Sequence, residues 1–343
     1  MTRTPTHTLP LVFFDRNAKA AKRSPINVSG AFHRSSTLIC LPGADFMIAK
    51  PREIDGKLVF ANQFEEENWD KWKDNQPELA ALARRNVEGF VDAIRPYTNV
   101  IETHQRPGCP DDIFTADASI SFLLPDRHIG LLSNFTNPNR VSEPFKRAEK
   151  LRELYPKKEI IQNLLNIEGC GDNVYDPFRH LIWSGYSTEE GNAQHGRSNR
   201  LAHAFLQEMT GIEVVSLQTS YPFYHNDTLI GPLSRGHMLA YMDGMSEETK
   251  HVFMYHAFER FDLDPEEYLI KLSEEDAYRL AANVRCYGDA IIMPETSKEL
   301  REEIESKGYK NVTQVNMDGT IALGGGPHCC SNVVDERILL LNH

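Results

Sequence analysis

"SISFLLPDRHIGLLS", Ser119 to Ser133, is the stretch that decides the fold. "SISFLL" and "HIGLLS" are apolar runs of strand length, and "PDR" between them is a turn. A helix follows. Ser142 offers a cap, Pro144 stands in the first turn, and Phe145, Ala148, Leu151 and Tyr155 share one face. The same rhythm appears on both sides. Upstream, "STLICL" reads as a strand. "QPELAALARRNVEGFVDAI" reads as a helix with one apolar stripe (Leu79, Leu82, Ala83, Val87, Phe90, Val91, Ile94), and "TNVIET" as the strand after it. Downstream, "SNRLAHAFLQEMTG" is a helix closed by Gly211 and followed by the strand "IEVVSL". Further on, "AIIM" precedes "TSKELREEIESKG", where Thr296 and Glu299 form a capping box and Gly308 the stop, and "NVTQVN" is the next strand. Strand, strand, helix, strand recurs at roughly 60-residue intervals, a period that favours radial or stacked units over one open sheet. No linker divides the chain and no exact repeat is visible. The expected architecture is a single α/β domain over 36–343, preceded by an arm over 1–35.

Composition narrows the function classes. The chain has 343 residues, 41% hydrophobic and 25% charged, which is ordinary globular material able to bury a large core. Its formal charge of −12 argues against a nucleic-acid surface and suits a small cationic substrate. No run approaches the roughly 18 apolar residues of a membrane span, so no membrane partner is expected. The apolar patch from Leu9 to Phe14 is interrupted by Pro10 and reads as a poor signal peptide. Six scattered cysteines without a CxxC pair indicate neither a zinc site nor a disulfide framework, and a reduced, cytoplasmic setting fits them. No metal or cofactor is expected. An exposed edge or helix is open to homo-oligomer formation, with no residue to name.

Four stretches carry chemistry-bearing residues: "DDIFTADAS" with Asp117, "IEGCGDNVYD" with Glu168 and Asp172, "FYHNDTLIGPL" with His225 and Asp227, and "ALGGGPHCCSNVV" with Cys329 and Cys330. Each has a bland reading alone. An aspartate before a strand is usually a turn former. His-x-Asp on a strand puts both side chains on one face, more often as a surface pair than as a site. A cysteine near a chain end is more often core than nucleophile.

Taken in order, the Asp of "FTAD", the Glu of "EGCGD", the His-x-Asp of "FYHND" and the Cys after "GGGP" resemble the pentein superfamily of guanidino-group-modifying enzymes. The resemblance runs from about Thr37 to Val334. "LIWSGYSTE" and "YHNDTLIGPL" look most like its arginine dihydrolase and dimethylargininase branch, and arginine deiminases and amidinotransferases also belong to it. The resemblance implies a five-bladed α/β propeller of repeated ββαβ units, with the site in a central channel. It implies no cofactor and a small guanidino substrate. By resemblance, Asp117 and Asp227 clamp the planar guanidinium, Cys329 attacks its carbon, His225 protonates the leaving nitrogen and then activates water, and Glu168 orients the imidazole. Carboxylates suit planar N–H forks, and a thiolate is a strong enough nucleophile to need no metal. The family pattern selects Cys329, and in extended backbone Cys330 faces the other way. The glycines and Pro327 are expected to let the backbone pass close to the ligand and present Cys329. His328 reads as a packing residue beside the nucleophile, and His33, His195 and His203 read as ordinary surface histidines.

The chain departs from that branch at two places. After "GY", where an arginine for the substrate carboxylate often stands, it has Ser187, Thr188 and Glu189, leaving Arg140 and Arg197 as the candidates for that role. Where dihydrolase-type relatives tend to have Asn, it has Asp117, which favours a single hydrolysis to a ureido product over a second one to ornithine. Arginine, a methylated arginine and agmatine all remain open as substrates. The alternatives are an amidinotransferase using the same thiol chemistry, a propeller that only binds a partner, and a cysteine protease, which would leave the acids without a purpose and lacks a matching cysteine signature.

Overall fold

The computed structural model describes residues 35–43, 46–54, 56–124, 126–187, 197–220 and 222–337. Residues 1–34, with the arm and His33, and residues 188–196, with Thr188, Glu189 and His195, lie outside the described residues. Among the described residues there are five sheets of three or four strands and one short hairpin.

Four sheets repeat one chain order: two antiparallel strands, a helix, then a strand parallel to the second. The stretch quoted first supplies the clearest case. Ser119–Leu123 pairs antiparallel with His128–Leu132, helix Glu143–Leu154 crosses, and Glu159–Gln162 adds in parallel. The pattern returns from Asn173–Asp176, from Ile230–Pro232 and from Arg285–Tyr287. A parallel pair needs a crossover, and the amphipathic helices provide it while covering the sheets.

The fifth sheet joins the two ends of the described chain. Ser36–Leu41 lies parallel to Asn99–His104 across helices Gln63–Trp72 and Gln76–Ile94. Its antiparallel neighbour is Ser331–Val333, in register Thr37 to Val333 and Ile39 to Ser331. The Ser36 N–H donates to Asp335 Oδ1 at 2.7 Å across 299 residues of sequence. This pairing fixes where the "GGGPHCC" loop ends.

The helices form where the apolar spacing says they should. Leu79, Ala83, Val87, Phe90, Val91 and Ile94 of Gln76–Ile94 are buried against the strand Ser36–Leu41 and the turn before Cys329. Truncating such a fully buried ring as Phe90 to Ala costs about 3–5 kcal/mol. Helix Arg200–Thr210 is capped by Asn199, whose Oδ1 accepts from the Ala202 N–H, and is closed by left-handed Gly211.

Three local expectations are corrected. Ser297, not Thr296, caps helix Lys298–Ser306, accepting from the Leu300 N–H, because Thr296 Oγ1 is engaged by Gln314 Nε2. Ser142 stands at the cap position of its helix but meets Cys109 Sγ instead of a helix N–H. His203 is not a surface residue: it is buried, bonded to Ser216 Oγ and the Gly185 carbonyl. Among the described residues no helix is long and apolar enough to cross a membrane.

Candidate active site

Every unit contributes to the site from the same place, the turn that enters its first strand. Asp117 lies in the 3₁₀ turn Thr115–Ala118, two residues ahead of Ser119. Glu168 opens the helical turn Gly169–Asp172 before Asn173. His225 and Asp227 sit in the 3₁₀ turn before Ile230, not in a strand, so a turn rather than strand alternation places both side chains in the site. Asn283 stands two residues ahead of Arg285, and Cys329 two ahead of Ser331.

These residues converge. Cys329 Sγ is 3.2 Å from Asp227 Oδ2 and 3.1 Å from Asn283 Nδ2. Asp227 Oδ2 also accepts from His328 Nδ1 at 2.9 Å. His225 Nε2 is 3.0 Å from Glu168 Oε2, and its other ring nitrogen lies 3.9 Å from Asp117 Oδ1. Arg140 Nη1 donates to Asp117 Oδ2 at 2.8 Å. Arg197 Nη1 donates to Glu168 Oε2 at 3.2 Å and stacks over the Tyr224 ring. All these side chains are buried.

Glycine makes this packing feasible. A Cβ on Gly171 would stand 2.5 Å from Asp117 Oδ1 and 2.7 Å from His225 Nδ1, between the two groups. In the nucleophile loop, Gly324 has φ +93, and its missing side chain leaves room for the Tyr224 hydroxyl. The close approach that the "GGG" run permits is thus to neighbouring side chains: Gly325 lies on Phe114 and Gly326 on Asn283.

Electrostatics follow from burial and partners. Burial raises Glu168, but Arg197 and His225 outweigh it and hold the carboxyl down at about 2. Burial lowers His225, yet Asp172, Asp117 and Glu168 lift it to about 9, so the ring is an imidazolium at neutral pH. Burial, then Asp227 and Asp117, push the Cys329 thiol well up. Burial lifts Asp172 to about 7, with Ser198 Oγ donating to it at 2.5 Å.

Four buried polar atoms here have no hydrogen-bond partner: Asp117 Oδ1, Asp227 Oδ1, Asp172 Oδ1 and His225 Nδ1. Buried carboxylate oxygens without donors cost several kcal/mol. A flat cation with N–H groups on its edges would satisfy the acceptors, and the imidazolium N–H can give a proton to a neighbouring nitrogen. Among the described residues no cluster of His, Cys, Asp and Glu has the form of a metal site.

Arg140 and Arg197, the expected binders of a substrate carboxylate, both meet protein carboxylates. Arg140 is held by Asp117, Glu143 and Asp111, and Arg197 by Glu168 and the Ala61 carbonyl. Cys330 is fully buried and its thiol meets Thr320, whereas the Cys329 thiol is the one in hydrogen-bond reach of Asp227. Sequence reasoning missed Asn283. Its Oδ1 accepts from the N–H groups of Gly326 and Cys329 while its Nδ2 faces the thiol, so one side chain fixes both the loop and the sulfur. The signal was its position, two residues ahead of a unit's first strand, as for Asp117 and Cys329. His328 faces Asp227, and burial lowers its pKa, so it stays neutral and donates to the carboxylate.

No family model matches the chain. It is 30% identical over 252 residues to the bifunctional arginine dihydrolase/ornithine cyclodeaminase ArgZ of Synechocystis sp., taking in 73% of this chain and 32% of ArgZ. The chain thus spans about a third of the length of the bifunctional proteins it matches. It is 26% identical over 243 residues to an N(G),N(G)-dimethylarginine dimethylaminohydrolase of Mycobacterium tuberculosis, 70% of this chain and 68% of that protein. Among solved structures, the product-bound N-terminal domain of ArgZ superposes with a TM-score of 0.71 at 24% identity, covering 90% of this chain and all (100%) of that domain. A second structure of that domain, covalently bonded to a reaction intermediate, gives 0.70 at 25% identity, covering 89% and 100%.

Proposed function

The chain belongs to the pentein superfamily of guanidino-group-modifying enzymes, and from that premise we propose that it is a hydrolase of a guanidino C–N bond acting through a covalent Cys329 intermediate. In this reading the five units stand as blades around one axis, a five-bladed α/β propeller in a single catalytic domain, with each blade's entry turn facing the centre. The observation that carries it is the set of unpartnered atoms around the thiol: two carboxylate oxygens, from Asp117 and Asp227, and the free His225 Nδ1.

The chemistry follows from those groups. Asp117 and Asp227 accept hydrogen bonds from the substrate guanidinium and hold its plane still. Its charge offsets the two acids that keep the thiol protonated, so the thiol gives its proton to solvent water and the thiolate forms when substrate is present. A sulfur–carbon bond forms, the bond to one terminal nitrogen breaks, and His225 gives that nitrogen its proton. The neutral imidazole then takes one proton from water as its oxygen bonds to carbon, and the sulfur–carbon bond breaks as the second proton passes from that oxygen to the sulfur, restoring the thiol. The products are ammonia or an alkylamine and a ureido compound such as citrulline. Glu168 keeps Nε2 protonated and the ring in place. Asp117 favours stopping there: an ionised carboxylate has no N–H for a neutral ureido oxygen, whereas an amide there does. A reduced cytoplasmic setting suits the six free cysteines.

Incubating purified protein with arginine, methylated arginines and agmatine, and assaying ureido product, released amine and ornithine, tests this. A ureido product without ornithine is expected, and Cys329→Ala should abolish it. An active Cys329→Ala refutes the covalent route. Transfer to an added amine in place of hydrolysis would make the protein an amidinotransferase.

A further inference from the structure

Resting on the guanidino-hydrolase reading, we propose that Glu65 reads the far end of the substrate by holding an ammonium group there, so that the preferred substrate is a guanidinoalkylamine rather than an amino acid. Glu65 is 0% exposed, and neither of its carboxylate oxygens has a hydrogen-bond partner. It stands in the first turn of helix Gln63–Trp72, where Asn62 Oδ1 accepts from its backbone N–H. That turn is fastened to the site on two sides. Asn62 Nδ2 donates to the Leu323 carbonyl at 2.9 Å, at the start of the nucleophile loop. The Ala61 carbonyl accepts from Arg197 Nη2 at 2.6 Å, while Nη1 of the same guanidinium reaches Glu168. The turn that carries Glu65 thus meets, through the Ala61 carbonyl and Arg197, the carboxylate that orients His225, and the charges of Arg197 and Arg140 act on Glu65 itself.

A helix-capping role does not satisfy this side chain. In a capping box the third-position Glu accepts from an N–H at the cap. Here the carboxylate faces the Ala61 N–H, which favours its ionisation, but without hydrogen-bond geometry. Burial and the nearby Asp111 raise its pKa, and Arg197 and Arg140 only partly oppose them. Among Glu65 and the charged groups that act on it, the unpartnered atoms are three acceptors, Glu65 Oε1 and Oε2 and Asp111 Oδ1, against one donor, Arg197 Nε. An ammonium brings three donors and no acceptor. A substrate carboxylate would bring two more acceptors to a place where both arginines already serve protein carboxylates. Donor–acceptor balance thus selects a tail with a cation and no carboxylate.

The test compares kcat/KM for agmatine and arginine in the wild-type chain and in Glu65→Gln. The wild type should favour agmatine. Glu65→Gln should raise KM for agmatine by about 10- to 100-fold with little change in kcat, the range expected for a hydrogen bond to a charged group. Arginine turnover should not fall with it. Two results overturn the role of Glu65 while leaving the hydrolase reading intact: a wild type that prefers arginine, which needs no variant, or an agmatine-to-arginine ratio unchanged in Glu65→Gln. Absence of turnover on every guanidino compound overturns the hydrolase reading itself.

Discussion

Glu168 and Glu65 are equally buried, each at 0% exposure, and the Arg197 guanidinium joins Glu168 to the Ala61 carbonyl, just ahead of the helix turn that carries Glu65. At one end Glu168 is met by Arg197, by His225 Nε2 and by the N–H and hydroxyl of Thr136, and its carboxyl is held at about 2. At the other, Glu65 has no hydrogen-bond partner for its carboxylate and burial raises its pKa. Burial alone therefore does not set the state of a carboxyl here; the partners do. Protein groups fix the carboxylate that orients His225, while Glu65, like the unpartnered oxygens of Asp117 and Asp227, is left for a ligand to complete.

The largest effect that would break this contrast comes from Glu168→Gln. It leaves Arg197 without its counter-charge and removes a group that raises His225. Turnover should fall about 10²- to 10⁴-fold, the range for losing a well-oriented acid–base group. The imidazole pKa should drop from about 9, which an NMR titration of the ring would follow. Gly171→Ala should come next. Its Cβ would part Asp117 from His225 in a folded protein, lowering kcat by about 100-fold, since small misplacements at a reacting centre have effects of that order. Wild-type circular dichroism with slow turnover is the expected pair of results.

The pH dependence sharpens the same comparison. Glu168 is depressed from 4.5 to about 2, so its contribution to stability is present above 4.5 and is lost as pH falls through about 2. His225 is raised from 6.5 to about 9, so its contribution is present below 6.5 and is lost as pH rises through about 9. Denaturant titrations across that range should show both losses. Above about 9, kcat/KM should also fall, because the imidazole no longer carries the proton for the leaving nitrogen. The smallest effect is expected at the surface pair Arg235 and Asp289, both about half exposed. Asp289→Asn should change stability by no more than about 1 kcal/mol, measured by the same titrations.

Much of this was legible in the sequence because it depends on local pattern. Apolar spacing marked helices Gln76–Ile94 and Arg200–Thr210, and the turn at "PDR" marked the pairing of Ser119–Leu123 with His128–Leu132. The four motifs named the residues that meet around Cys329. What escaped depends on contacts made at long range. Asn283 carries no motif, and its role exists only because it lies against a loop 46 residues away. The engagement of Arg140 by Asp117, Glu143 and Asp111 appears only once the chain has folded. Glu65 lies in no motif and in no helix that apolar spacing marked, and it is buried on a turn that Asn62 and Ala61 fasten to Leu323 and Arg197.

Acid quenching during turnover, followed by peptide mass spectrometry with fragmentation between the adjacent cysteines, tests the central claim most directly. The account predicts an adduct on Cys329, heavier by the substrate less one ammonia or amine, with Cys330 unmodified. Steady turnover with an unmodified Cys329, or an adduct on Cys330 instead, would contradict it.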